Sequence, residues 1–237
     1  MKVRASIKKR SADKLVDLLA EAGVKTAFTV PGESFLGVLD ALYEHPDIRT
    51  VATRHEGAAS FMAEATGKLS RRPGLCMATR GVGAMNLAIG IHTARQNSTP
   101  LIALLGQVSN ADRHREAFQE MELAEVFRPF VKWAAEPTHP NQLPEVVARA
   151  ASISMQGRPG PVVISIPEDI QEQEYVDTGT LSITSNPALQ PPQHLIEQVL
   201  AELRAACSPL IIVGGGVSAA SAGNAAAEFA ELEQIGV

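Results

Sequence analysis

VATRHEGAASFMAEATGKLSRRPGLCMATRGVGAMNLAIGIHTARQNSTPLIALLGQV, residues 51–108, is the stretch from which the fold can be read. Apolar runs of strand length at 48–53, 75–79 and 100–105 alternate with two stretches of helical character. The first of these begins near Glu56, and the second follows a glycine turn at 80–86. RRPG at 71–74 ends the first helix, because proline cannot continue it and glycine accepts the turn. Strand and helix alternating in this way predict a parallel sheet with helices on both faces.

The same rhythm continues outward. Ser11 is a candidate N-cap for a helix over 12–22, with Leu15, Leu18, Leu19 and Ala22 on one face. A strand at 26–30, a break at PGES (31–34) and a helix at 35–43 follow. Toward the C-terminus, GQVSNADRHREAFQEME (106–122) is a long polar connection of the kind that carries function. Beyond it come a short helix at 123–127, strands at 131–134 and 162–166, and a helix at 143–155 between those strands. The predicted architecture is α/β, an open six-stranded parallel sheet covered on both faces, over residues 1–175. Residues 176–192 turn to Thr, Ser, Pro and Gln and read as a linker. Residues 193–237 read as the opening βα of a second α/β domain: a helix at 194–206, a strand at 209–213, a GGGV turn and an alanine-rich helix at 218–232.

Composition narrows the function. Among 237 residues, 21 Lys and Arg face 26 Asp and Glu, giving a net charge of -5, and aromatics make up 4%, which excludes a basic stacking surface for nucleic acid. The longest apolar runs, PLIALL and SPLIIVGGG, fall short of the roughly 20 residues of a membrane-spanning helix. The basic start MKVRASIKKR runs into the acidic helical period of SADKLVDLLAEAG rather than a signal core. The expectation is a soluble, cytoplasmic protein that engages neither membrane nor nucleic acid. Cys76 and Cys207 form no CxxC, and histidines 45, 55, 92, 114, 139 and 194 show no i, i+4 pairing, so they read as surface or packing residues and no metal site is expected. No GxSxG, P-loop lysine or HExxH is present.

In an open parallel sheet, ligands bind at the carboxyl ends of the strands. PGES, RHEG, RGVGAMN and EAFQE all fall there. Glu56, followed by Gly57, Ala58 and Ala59, either complements a helix dipole or meets a ligand that nothing bulky keeps away. The turn holding Gly81, Gly83 and Asn86 is either a tight cap or a cradle whose backbone N–H groups and Asn86 amide reach a polar heterocycle. GGGVSA at 214–219 fits the loose GxGxxA fingerprint after a strand, which leaves a nicotinamide or flavin dinucleotide (FAD) oxidoreductase as an alternative.

Together, VPGES, ATRHEGAASFMAEATGKLS, RPGLCMATRGVGAMNLAIGIHTARQNSTPLIALLGQV, EAFQE and GRPGPVVISIPEDI closely resemble the N-terminal, pyrimidine-binding domain of thiamine diphosphate enzymes of the acetolactate synthase type. The resemblance covers about residues 10–170. It implies a thiamine diphosphate-dependent decarboxylase or carboligase for a small 2-oxo acid, with Glu56 hydrogen-bonding N1′ of the aminopyrimidine and activating it. It further implies that Pro31, Gly32, Gly81, Gly83 and Asn86 cradle the pyrimidine, and that Phe118 and Gln119 line the reacting centre, Gln119 donating to a developing oxyanion. The family's GDG...N segment, which holds Mg²⁺ and the diphosphate, does not occur in these residues; the resemblance implies that this half-site comes from the C-terminal domain of a partner subunit across the interface of a homodimer or larger oligomer, or from a separate diphosphate-binding chain. A binding or dimerisation fragment without turnover of its own is the remaining alternative. The sequence departs from the family's pattern at four places. Glu33 stands for the second glycine of PGG, Arg80 and Val82 for the serine and proline of TSGPG, and Glu168 for the lysine of IPKD. The paired histidines of pyruvate-decarboxylase relatives are missing, with His114 lying between Arg113 and Arg115.

Overall fold

The computed structural model describes residues 9–176, 181, 183 and 190–237. Two compact units divide the chain, Met1–Ser185 and Asn186–Val237. Most of the expected linker, 176–192, lies outside the described residues.

The first unit runs β1 (Lys9–Arg10), α1 (Ser11–Glu21), β2 (Thr26–Thr29), α2 (Leu36–Glu44), β3 (Arg49–Ala52), α3 (Glu56–Ser70), β4 (Gly74–Ala78) and α4 (Val82–Asn97). It continues with β5 (Leu101–Gln107), α5 (Leu123–Phe127), β6 (Trp133–Ala135), α6 (Gln142–Met155), β7 (Pro161–Pro167), α7 (Glu168–Gln171) and β8 (Glu174–Tyr175). The six strands expected from the sequence form one sheet of order β3-β2-β4-β5-β7-β6, parallel throughout. β1 also pairs antiparallel with β8, two residues each, a pairing without sequence signal because strands so short show no alternation.

Period-2 alternation divides the interior strands between two cores. Leu75, Met77, Ile102, Leu104, Val162 and Ile164 face α1, α2 and α6 through Leu15, Leu19, Val38 and Val147. Cys76, Ala78, Leu101, Ala103, Leu105 and Val163 face α3, α4 and α5 through Ala59, Ala63, Leu87, Ile91 and Phe127. Burial in that second core pushes the Cys76 thiol well above its usual range, whereas Cys207 in the other unit is exposed. Ser11 does not cap α1. The N-cap is Arg10, and the Ser11 hydroxyl donates instead to the Ile170 carbonyl at 2.5 Å, tying α1 to α7.

Small residues let α3 approach its neighbours at backbone distance. A Cβ on Gly74 would strike the Ala63 backbone, and one on Gly90 would strike Ser60. The close seating of α3 on β4 and α4 fixes where both helices begin.

The second unit contains α8 (Gln193–Ala205), α9 (Gly215–Ala219) and α10 (Gly223–Glu233). The strand expected at 209–213 is reduced to a single bridge, Leu210 to Gly236, because no neighbouring strand offers it a ladder. The GGGV turn is absorbed into α9, and the helix expected at 218–232 is split where Ser221 adopts φ 56° ahead of Gly223. Among the described residues, no helix is long and apolar enough to cross a membrane.

Gly90→Ala forces a methyl group onto Ser60. It is expected to lower stability by about 1–3 kcal/mol, seen as a lower urea midpoint at unchanged slope. A midpoint equal to wild type would show that α3 and α4 have room to spare.

Candidate functional site

Strand order reverses between β2 and β4, since β3 leaves β2 on one side and β4 returns on the other. A crevice therefore opens at the carboxyl ends of β2 and β4, where chain connections diverge. Pro31, exposed, and Gly32 leave β2 there. A Cβ on Gly32 would lie 2.8 Å from the Thr79 Cβ, so only glycine lets this turn touch the exit of β4. A hydrogen bond of 2.9 Å between the Ser34 and Thr79 hydroxyls, and another from the Gln171 amide to the Ser34 carbonyl at 2.8 Å, hold the turn down.

Gly81 follows Arg80 with φ 58° and ψ -105°, a conformation that favours glycine, and opens α4. A Cβ there would lie 2.9 Å from the Gln119 carbonyl oxygen, so the 106–122 connection rests directly on this turn. Two residues on, a Cβ at Gly83 would lie 3.2 Å from Glu56 Oε1. The missing methyl keeps space open beside the carboxylate.

Glu56 is the first residue of α3, and Asn86 lies in the first turns of α4. Asn86 Nδ2 donates to Glu56 Oε2 at 2.9 Å, while Oε1 accepts no hydrogen bond among the described residues. The half-buried carboxylate is thus oriented by one partner and free at its other oxygen. His55, expected only to pack or face solvent, caps α3: its Nδ1 accepts the Gly57 N–H at 2.9 Å. Imidazole is not among the preferred N-cap groups, so this cap carries no local signal.

Phe118, 72% exposed, and Gln119 sit on the connection. Gln119 takes φ 61°, and among the described residues no hydrogen bond joins it to Glu56. The structure thus places Glu56, Gly83 and Asn86 in one group and Gly81 with Gln119 in a second, joined through the 81–83 turn. Arg80 binds the connection from below, its Nε donating to the Phe118 carbonyl at 2.8 Å. Arg113, itself in the connection, pairs within it with Glu120 at 3.2 Å and Glu122 at 2.9 Å and reaches outside it to Glu136 at 2.9 Å. His114, Glu120 and Glu122 bring three ligand atoms within 4.8 Å of one another. Arg113 already pairs with both carboxylates, so the group reads as an ion-pair network.

GGGVSA lies in the second unit, where a Cβ on Gly214, Gly215 or Gly216 would meet nothing within 4 Å. Neither the preceding strand ladder nor the tight packing that a dinucleotide fingerprint requires is formed there.

Residues 9–126 match the family model described as thiamine pyrophosphate enzyme, N-terminal TPP binding domain. The chain belongs to the thiamine pyrophosphate enzyme family. Among relatives in this family, acetolactate synthase of Bacillus subtilis (strain 168) is 35% identical over 213 residues, covering 89% of this chain and 37% of the relative. Acetolactate synthase isozyme 1 large subunit of Escherichia coli (strain K12) is 36% identical over 230 residues, covering 94% of this chain and 39% of the relative. The chain therefore spans well under half the length of these curated relatives. In fold it is similar to the Rhodococcus jostii RHA1 thiamine diphosphate-dependent 4-hydroxybenzoylformate decarboxylase, with a TM-score of 0.87 at 24% identity over 96% of this chain and 43% of that one. The α/β sheet and the thiamine pyrophosphate family resemblance read from the sequence both hold.

The His114 N–H, opposed in part by burial and aided by the Ala117 N–H and the Arg113 charge, holds the Glu120 carboxyl below its ordinary value. A depressed carboxyl supports the turn fully above the unfolded value and loses that support as pH falls through the lower folded one. The amide shifts of His114 and Ala117 are expected to titrate together with a midpoint below that of an ordinary glutamate, and Glu120→Gln to abolish that titration. A midpoint at or above the ordinary glutamate value would contradict the network.

Proposed function

We propose that this chain forms the aminopyrimidine-binding half of a thiamine diphosphate-dependent decarboxylase or carboligase acting on a small 2-oxo acid. The observation that carries the reading is the Glu56 carboxylate, held at Oε2 by Asn86 and facing through Oε1 the space that Gly83 leaves open. That pairing of one satisfied and one free oxygen fits a heterocyclic nitrogen, which needs a carboxylate able to hold and return a proton.

Glu56 would take the N1′ side of the pyrimidine, with the backbone at Gly81 and Gly83 beneath the ring and Pro31 and Gly32 closing the other side. When bound, thiamine diphosphate supplies the electron sink that 2-oxo acid chemistry requires. In this reading the Gln119 amide would donate to an oxyanion developing on the substrate, and Phe118 would cover the reacting centre from water. Mg²⁺ and the diphosphate would be held by a segment outside these 237 residues.

That segment, carried by a partner subunit or by a separate diphosphate-binding chain, would complete the site. Ala58, Phe61, Met62, Ala65 and Leu69 on α3, and Val82, Met85 and Ile89 on α4, are exposed at helical spacing on the sides turned away from the sheet. Phe61 and Met62 at 42% and 44%, with Ile89 at 59%, make an apolar surface that supports a partner against the same helices that present Glu56 and Asn86.

In the complete thiamine diphosphate assembly, Glu56→Gln is expected to lower turnover of a panel of small 2-oxo acids by about 10²–10⁴, with the circular dichroism of the chain unchanged. Wild-type turnover in this variant would remove Glu56 from catalysis.

A further inference from the structure

Arg80 takes no part in the chemistry above, yet three connections at the carboxyl end of the sheet meet on it. Its side chain is 9% exposed. Nη2 donates to Glu33 Oε1 at 2.7 Å after β2, Nε donates to the Phe118 carbonyl at 2.8 Å after β5, and Nη1 lies 3.5 Å from Glu168 Oε2 after β7. Glu33, Arg80 and Glu168 are three of the four places where the sequence departs from the family's pattern. Distant in the chain, they touch in space, so these departures form one ionic unit.

A guanidinium this buried is costly unless charges and hydrogen bonds compensate it. Two carboxylates supply the charge. Nη1 is buried without a hydrogen-bond partner among the described residues, and the Glu168 carboxylate faces it at 3.5 Å. Its remaining strong donor goes to a backbone carbonyl, and this choice has a geometric consequence. The Phe118 carbonyl and the Gln119 nitrogen belong to one planar peptide, so fixing the carbonyl fixes the plane from which Gln119 departs. Gln119 itself is held at φ 61°, a left-handed conformation that a residue with a side chain keeps only when its surroundings impose it. Its backbone lies against Gly81, the residue next to Arg80.

We propose that Arg80, anchored by Glu33 and Glu168, is the positioning residue for Gln119. Its task is to hold the Phe118 peptide so that the Gln119 amide keeps its aim. The consequence for turnover rests on the function proposed above, whereas the consequence for the connection does not.

Amide hydrogen exchange on the 237-residue chain tests the first part. Arg80→Ala is expected to speed exchange at residues 117–121 about tenfold or more, the loss of a charge-assisted hydrogen bond, while amides of β5 and β7 keep their wild-type rates. Arg80→Lys keeps a point charge without the fork and is expected to loosen the same residues; it decides the matter if the alanine variant does not fold. Wild-type exchange at 117–121 in the lysine variant, or acceleration spread evenly through the sheet, would overturn the proposal. A double-mutant cycle in the complete assembly tests the second part. Arg80→Lys should lower kcat for a 2-oxo acid at unchanged Kd for thiamine diphosphate, and should lower it no further in a Gln119→Ala background. Fully additive losses would show that Arg80 does not act through Gln119. An assembly in which the wild type shows no thiamine diphosphate-dependent turnover would instead overturn the proposed function, leaving the exchange result to judge the positioning.

Discussion

The seating of α3 against both β4 and α4 is the constraint on which the candidate site depends. Gly67 approaches the Pro100 carbonyl, Gly74 the Ala63 backbone and Gly90 the Ser60 side chain, each at a distance that a methyl group would forbid. With no large side chains between them, these elements are held by dispersion between closely packed atoms and have little freedom to slide. Both helices begin at strand ends on the same side of the sheet. Locking their bodies therefore locks their first turns, and the carboxylate on one meets the amide on the other.

The 106–122 connection is held by a different kind of force. It carries few apolar side chains, so it cannot anchor itself by burial, and it is held by Arg80 from outside and by its own Arg113 from within. Arg113, 11% exposed, reaches Glu136 at the end of β6, and Glu136 in turn accepts from the Ser165 hydroxyl at 2.6 Å. Gln107 adds a bond of 2.7 Å to the Met121 carbonyl. A polar segment is thereby given a defined path across the end of the sheet by charge-assisted bonds, which are roughly twice as strong as neutral ones.

The sheet was legible in the sequence because its interior strands are buried on both faces and read as unbroken apolar runs bounded by Gly and Pro. Glu56, Gly83 and Asn86 were legible because a strand end leading into a helix has a fixed place in a parallel sheet. Elements that depend on partners were harder to read. Residues 209–213 have a strand's composition but find only Gly236 to bridge, and β1 and β8 exist only because the chain returns to pair them. The Ser11 hydroxyl followed a tertiary partner, Ile170, in place of the local capping role its position suggested. Arg80 was visible only as a departure from a pattern, because its meaning lies in Glu33, Phe118 and Glu168, which no local reading brings together.

The two thiols sit in opposite environments. Thiol-directed reagents attack the thiolate, and burial both hides Cys76 and suppresses its ionisation. A maleimide dye added to the native chain would therefore couple to Cys207 alone, and a second equivalent would be taken up only as β4 leaves the sheet. The chain carries its own stopwatch for unfolding, started by the alkylating agent and read by counting labels.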